Sequence, residues 1–372
     1  MLHNKDNEKP TFAVLGAGHG GLAMAGHLSI MGFDVKLYNR SEERLWGVKS
    51  RGGIAIESED GKLGFGKINV ITTNMEEAIS DVDIIMVVVP ATGHRFMAEK
   101  ASPYLKDGQI VVLNPGRTFG ALEFKQVLIQ KNVTADVIIA EAQTFIYASR
   151  AVNPGQVKIF RIKNSIPVAS IRAHLIPEVL KKLKIAYPQY VAGDNIFKTS
   201  FDNIGAVFHP ALCVLNAGWI EDISEFQFYL QGVTPSVANV LEKIDDERVK
   251  VAEALGIRAL TAREWLYLAY AAVGNNLYDA MRANSGYRGI MAPTRLNMRY
   301  ITEDVPTSLV PIASVGKKLG VPTPAIDSII FLASELTNSD YWADGRTTER
   351  LGITNMSLRE LRLIAIGEKL TE

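Results

Sequence analysis

Short apolar runs rich in β-branched residues alternate with helical spacing through the first half of the chain. Residues 11–16, 35–39, 84–89, 110–114 and 137–140 show little polar alternation, the pattern of strands buried on both faces. A parallel sheet covered by helices is therefore expected here. One helix is expected to open at Asn74, with Glu77 at the capping-box spacing. Residues 53–72 hold two alternating stretches broken by Glu59, Asp60 and Gly61, which read as a β-hairpin at a sheet edge.

From about residue 195 the β-branched runs fade and helical patterns take over, at 195–216, 236–255, 262–271 and 323–336. The last begins with Thr323 as a hydroxyl N-cap and Pro324 at the first helical position. At 372 residues the chain exceeds what one core usually organises. Two domains are expected: 1–190, an α/β unit, and 191–372, mainly α-helical.

Composition narrows the partner. Forty basic and forty acidic residues cancel, so no global field recruits nucleic acid or an anionic membrane, and a small molecule is the expected ligand. The single cysteine, Cys213, excludes an intrachain disulfide and suits a reducing compartment. The first ten residues lack the apolar core of a signal peptide, and no apolar run reaches bilayer length. A cytoplasmic location is expected. Histidines and acids do not cluster with ligand spacing, so no metal is expected.

The strongest local signal is G-x-G-x-x-G, formed by Gly16, Gly18 and Gly21 directly after the first strand pattern and at the start of an apolar helix. In that context it is the dinucleotide fingerprint of a Rossmann, doubly wound parallel sheet. Gly16 allows the tight turn, Gly18 lets the backbone approach the pyrophosphate and Gly21 permits close packing, while His19 and Gly20 lie in the same phosphate turn. The second strand ends at Asn39, Arg40 and Ser41, where an NAD-specific fold usually carries an acid for the ribose 2′-hydroxyl. Arg40, Ser41 and Arg44 suit a 2′-phosphate instead. NADP(H) is thus favoured, with NAD(H) as the alternative if the two arginines merely solvate a helix start. Pro90 and Ala91 end a third strand, and Asn114 and Gly116 follow the next. Both loops are expected to face the nicotinamide half, and His94 follows the first of them as either a ligand contact or a surface histidine.

Hydride transfer also needs a proton donor of near-neutral pKa. Of six histidines, His3, His19, His27 and His174 fall in the tail, the phosphate turn and helices of the first domain. His209 remains the candidate in the second domain, and a hydrogen-bonded core histidine is the other reading of it. Cys213 lies one turn beyond His209, but a buried small hydrophobe explains it better than a thiol–imidazole dyad.

Several segments in order resemble the octopine/nopaline type of opine dehydrogenase. They are residues 16–21; Val89, Pro90 and Ala91; 113–117, ending in Arg117; Asn203 with His209 and Pro210; 232–236; 287–289, which begins with Tyr287; and 299–306, which includes Asp304. The resemblance implies a Rossmann domain joined to a helical one, a homodimer, and NAD(P)H-dependent reductive condensation of an α-keto acid, pyruvate first, with an amino acid. It implies His209 as acid/base, Asp304 as its orienting carboxylate and Arg299 as the grip on a substrate carboxylate. Asn203 matches as a hydrogen-bond donor to substrate or cofactor, and Tyr287, like Trp265, is a candidate pocket wall. The competing readings are a keto-acid or 2-hydroxy-acid reductase of the same plan, and a non-enzymatic NADP(H)-binding module, which would leave His209, Arg299 and Asp304 without purpose.

Overall fold

Each of the five expected core strands forms, within a sheet larger than the sequence pattern indicates. The computed structural model describes residues 9–58, 61–222 and 225–367. The strands are β1 (Phe12–Leu15), β2 (Val35–Tyr38), β3 (Gly53–Ser58), β4 (Gly61–Lys67), β5 (Val70–Thr72), β6 (Ile84–Val87), β7 (Ile110–Leu113), β8 (Ile138–Ala142), β9 (Tyr147–Asn153), β10 (Gln156–Ile162), β11 (Ile166–Ser170) and β12 (Tyr190–Ala192). The main sheet runs β12-β11-β8-β7-β6-β1-β2-β5. Six of these strands, β5 through β8 in that order, are parallel, whereas β11 is antiparallel to β8. All four residues of β1 and of β7 are buried, which is why neither strand shows polar alternation.

Strand order reverses between β1 and β6, which pair from Phe12 with Ile84 to Leu15 with Val87. Connections leave these two strands in opposite directions, so their carboxyl ends border the crevice where doubly wound sheets take ligand.

The hairpin of β3 and β4 does not extend the main sheet, whose edge is β5. It joins β10 and β9 in a separate four-stranded sheet ordered β4-β3-β10-β9. Glycine explains the placement. A side chain on Gly66 would overlap the Gly26 backbone in the helix His19–Ile30, so this sheet lies directly on that helix. The turn residues Glu59 and Asp60 lie outside the described residues, as does His3.

Asn74 caps the helix Met75–Ile79, accepting from the Glu76 and Glu77 backbone N–H groups at 2.9 and 3.4 Å. Its own N–H donates to Thr72 Oγ1 at 2.9 Å instead of to Glu77.

The chain divides into two compact units. The first is Met1–Gly116, Gly120–Thr199 and Leu363–Glu372; the second is Arg117–Phe119 and Ser200–Arg362. The division thus falls after Thr199 where the sequence pattern suggests 190, because β12 and the start of the next helix complete the first unit. The second unit is built from the helices Gly205–Leu215, Pro235–Ala254, Ala262–Tyr270, Leu277–Ala283, Val310–Leu319 and Pro324–Thr337.

Two expectations change in detail. The helical pattern at 195–216 breaks into Ile196–Phe201 and Gly205–Leu215. The buried Arg248 guanidinium takes the Phe201 carbonyl, and the Asp202 side chain turns away to accept from Leu260 N at 2.8 Å, so the Phe201 carbonyl is withdrawn from the helix and the helix stops. Thr323 stands before Pro324 as expected, yet its hydroxyl bonds Asp327 Oδ2 at 3.3 Å and caps nothing. Glu247 caps that helix instead, accepting from Ala325 N and Ile326 N at 2.8 and 2.9 Å. Among the described residues no helix is long and apolar enough to cross a membrane.

Candidate active site

Gly16 follows β1 at a φ of +120°, and a Cβ there would overlap the Val88 carbonyl. A Cβ on Gly21 would overlap the Gly16 carbonyl oxygen, whereas one on Gly18 would meet no protein atom within 4 Å. Gly18 is also the N-cap of the helix His19–Ile30 and supplies no side-chain cap. The first turn thus presents backbone N–H groups at an open position, a fit for the pyrophosphate of a dinucleotide.

The neighbouring side chains divide into committed and open ones. Asn39 Oδ1 accepts from Ala17 N at 3.1 Å, and its amide donates to the carbonyl and hydroxyl of Ser41 at 3.0 and 3.1 Å. It fastens the glycine turn to the end of β2, and its side chain is used up in doing so. Arg40, Ser41 and Arg44 are exposed, and the Arg40 guanidinium lies 5.8 Å from the Phe96 ring centroid. His19 Nδ1 accepts from Ala151 N at 2.8 Å, which leaves the ring proton on Nε2 in the neutral form.

At the other loops, Pro90 is exposed and Ala91 buried. His94 is fully buried, not the surface histidine the sequence allows. Asn114 is buried as well: its amide donates to the Val112 carbonyl at 2.9 Å, and its oxygen accepts from the Tyr190 hydroxyl at 2.9 Å. It anchors the loop from inside. A Cβ on Gly116 would overlap the Glu141 carboxylate, which accepts from Ala121 N and the Thr199 hydroxyl at 2.9 and 2.7 Å. Gly116 therefore lets the loop lie against a buried acid.

The second unit assembles a charged cluster from three distant stretches. His209 projects from the helix Gly205–Leu215, and its Nδ1 lies 2.7 Å from Asp304 Oδ2. Asp304 immediately precedes a π-helical turn, Val305–Leu309, an insertion frequent at functional sites. Its carboxyl group is buried, with side-chain exposure of 1%. Burial alone would raise its pKa, but the Arg117 guanidinium and the His209 hydrogen bond outweigh that and hold it below the ordinary carboxylate value. Asp304 is therefore an anion whose Oδ2 accepts the Nδ1 proton, so Nε2 carries the lone pair.

Arg117 is the residue that sequence reasoning passed over, present in the 113–117 motif but given no role. Its backbone is left-handed, with φ of 59°, and its side chain faces Asp304 Oδ1 at 3.4 Å, Glu303 Oε1 at 3.5 Å and Asn203 Oδ1 at 3.4 Å. Burial works against its charge, but Asp304 and Glu303 overcome this and raise its pKa. Glu303, likewise missed, also accepts from Arg299 Nε at 2.7 Å. Arg299 is 62% exposed in its side chain, so it reaches solvent with one edge of the guanidinium pinned. Asn203 is held by Ser308 Oγ at 2.9 Å and orients Arg117. Tyr287 is buried and stacks on Tyr229, with centroids 4.3 Å apart.

The cysteine behaves as a hydrophobe. Burial, with Asp304 adding to it, pushes the Cys213 thiol up to about 12, so no thiolate forms near neutral pH.

Two family profiles match the chain. The family profile described as NAD/NADP octopine/nopaline dehydrogenase, alpha-helical domain, matches residues 192–337. That of the NAD-dependent glycerol-3-phosphate dehydrogenase N-terminus matches 11–139. The structure of an octopine dehydrogenase with NADH and L-arginine superimposes with a TM-score of 0.83 at 23% identity, covering 98% of this chain and 100% of that one. An NADP+-bound yersinopine dehydrogenase gives 0.79 at 17%, over 95% and 99% of the two chains. These two establish the fold. Protein ocs of Agrobacterium tumefaciens (strain Ach5) is 28% identical over 92% of this chain and 95% of its own. The opine dehydrogenase of Arthrobacter sp. (strain 1C) is 38% identical over 95% of this chain and 98% of its own length, and with the glycine turn and the histidine–aspartate pair both in place, the chain belongs to the opine dehydrogenases, a family of NAD(P)-dependent oxidoreductases.

Proposed function

We propose that the enzyme condenses an α-keto acid, pyruvate first, with the amino group of an amino acid and reduces the product to a secondary amine dicarboxylate. The observation that carries this reading is the 2.7 Å contact between His209 Nδ1 and a buried, ionised Asp304. With Asp304 holding the Nδ1 proton, Nε2 of His209 is the base that takes a proton from the incoming ammonium. The freed amine adds to the keto carbon, and the imidazolium returns its proton to the carbinolamine hydroxyl, which leaves as water. Asp304 stays ionised throughout and steadies the imidazolium in between. Arg299, its Nε fixed by Glu303, grips a substrate carboxylate through its terminal nitrogens, and that grip sets the orientation of the reacting carbon.

The backbone of Gly16, Gly18, His19, Gly20 and Gly21 would hold the dinucleotide pyrophosphate, with Pro90, Ala91 and Gly116 toward the nicotinamide half. When bound, the reduced nicotinamide supplies the hydride. NADP(H) is the coenzyme in this reading. No acid ends β2, Asn39 is spent on the glycine turn, and the exposed Arg40, Ser41 and Arg44 suit a 2′-phosphate that a carboxylate would repel. We also take the enzyme to be a cytoplasmic homodimer, a state that light scattering at micromolar concentration tests.

The deciding assay follows NADPH and NADH oxidation with pyruvate, without amine and with each of twenty amino acids. Oxidation that requires both keto acid and amino acid is expected, faster with NADPH. Equal oxidation without amine would instead mark a keto-acid reductase, and faster turnover with NADH would overturn the coenzyme assignment alone.

A further inference from the structure

His209 is gripped on its face as well as at its edge. Its imidazole stacks on the Tyr300 ring with centroids 4.2 Å apart and planes 20° off parallel. Tyr300 in turn stacks on Phe228 at 5.4 Å and 19°. Phe228 is fully buried, so the base of this pile cannot shift without disturbing the core. Tyr300 is fixed from two further sides. Its backbone N–H donates to Met298 Sδ at 3.2 Å, and its hydroxyl bonds Tyr229, the ring stacked on Tyr287.

The bond to Asp304 sets where His209 Nδ1 sits, but a single hydrogen bond leaves the ring free to tilt and swing about that contact. Nε2, on the far side of the ring, would move most. A flat neighbour at stacking distance removes that freedom. We propose that Tyr300 is a positioning residue for His209, its ring face holding the imidazole plane so that Nε2 points in one direction through both proton transfers. The electron-rich face also suits the imidazolium formed in each turnover. Of the other polar groups about His209, Asp304 bonds its edge, Arg117 faces Asp304, Arg299 is tied to Glu303, Cys213 is a neutral thiol, and Tyr229 lies tilted by 50° with its centroid 6.4 Å away. None of them stacks flat on the ring face as Tyr300 does. This inference rests on His209 being the acid/base.

The test compares Tyr300→Phe, which keeps the ring, with Tyr300→Leu and Tyr300→Met, which do not, each alone and in the His209→Asn background. Loss of the ring should lower kcat roughly tenfold, since small misplacements of a catalytic group cost rate steeply, with the KM for keto acid nearly unchanged. Tyr300→Phe should stay close to the parent. In the His209→Asn background, loss of the ring should cost nothing further. Coenzyme binding and thermal melts identify a misfolded variant, and Tyr300→Met, close in volume to leucine but more adaptable, carries the comparison where Tyr300→Leu is unstable. A Phe variant as impaired as the Leu variant, or the same loss with and without His209, would overturn the positioning role. A His209→Asn enzyme with parental activity would overturn the acid/base reading itself, a separate outcome of the same experiment.

Discussion

Gly18 and Gly21, three positions apart, should fail in different ways when a methyl is added. A Cβ on Gly18 meets no protein atom within 4 Å, and its φ of −79° suits any residue. Gly18→Ala should therefore melt within a degree or two of the parent, yet raise the coenzyme KM on the order of tenfold, because the methyl occupies the approach to the pyrophosphate. Gly21→Ala drives a methyl into the Gly16 carbonyl and should lose folded protein outright. Paired melting curves and coenzyme titrations decide it; a Gly18→Ala protein that loses stability but not affinity would refute the assignment. Asp304 yields a pH prediction. Its folded pKa lies below the ordinary 3.8, so its stabilisation is complete above that value and is lost as pH falls toward the folded one. The melting advantage of the parent over Asp304→Asn should thus be largest near neutrality and shrink as pH falls through 3.8 toward the lower folded value. An advantage that grows on acidification would reverse the sign argued here. The glycines were legible because their constraint is local. Arg117 was not, since Glu303 and Asp304 lie far along the chain and nothing in the spacing of residues 113–117 announces their charge. Asn39 and Asn114 mislead for a related reason: sequence places them beside the cofactor turn and loop, but the fold has already spent their amides on Ser41 and the Val112 carbonyl.

At the scale of elements, the sequence located the helix Pro324–Thr337 well and its cap poorly. Thr323-Pro324 is a sound start signal, because proline costs nothing at the first turn. The acceptor for the exposed N–H groups, however, comes from Glu247, which takes two of them at 2.8 and 2.9 Å. Glu247→Ala should accordingly destabilise the enzyme by about 1–3 kcal/mol, the cost of stranding buried donors, whereas Thr323→Val should cost well under half of that. Chemical denaturation of the two variants measures the difference. If Thr323→Val is the more damaging, the cap has been assigned to the wrong residue. The break at 202–204 was hidden in the same way. Residues 195–216 read as one continuous apolar helix, and the interruption is imposed by Arg248, from the helix Pro235–Ala254. The break has a use, because it frees Asn203 from helical geometry and lets it reach both Arg117 and Ser308.

For the whole molecule, the sequence suggested two consecutive domains, and the chain is less orderly than that. Arg117–Phe119 groups with the helical unit although its neighbours on both sides group with the Rossmann unit, and Leu363–Glu372 returns to the Rossmann unit after the helical one is complete. Periodicity reports only which face of an element is buried, not which unit buries it, so neither excursion could be read from the pattern. The return makes a testable claim about Gly367. It adopts φ of +84°, and a Cβ there would overlap Arg172 Cα in the Rossmann unit, whereas Gly320, at φ of +72° after the helix Val310–Leu319, has nothing within 4 Å of its Cβ position. Alanine at either position meets the left-handed penalty of about 1–2 kcal/mol, but only alanine at 367 also meets backbone. Gly367→Ala should therefore lower the melting temperature clearly more than Gly320→Ala does. Equal shifts would mean that the terminal segment does not bear on Arg172 in solution, and the Rossmann unit would then end at Thr199 after all.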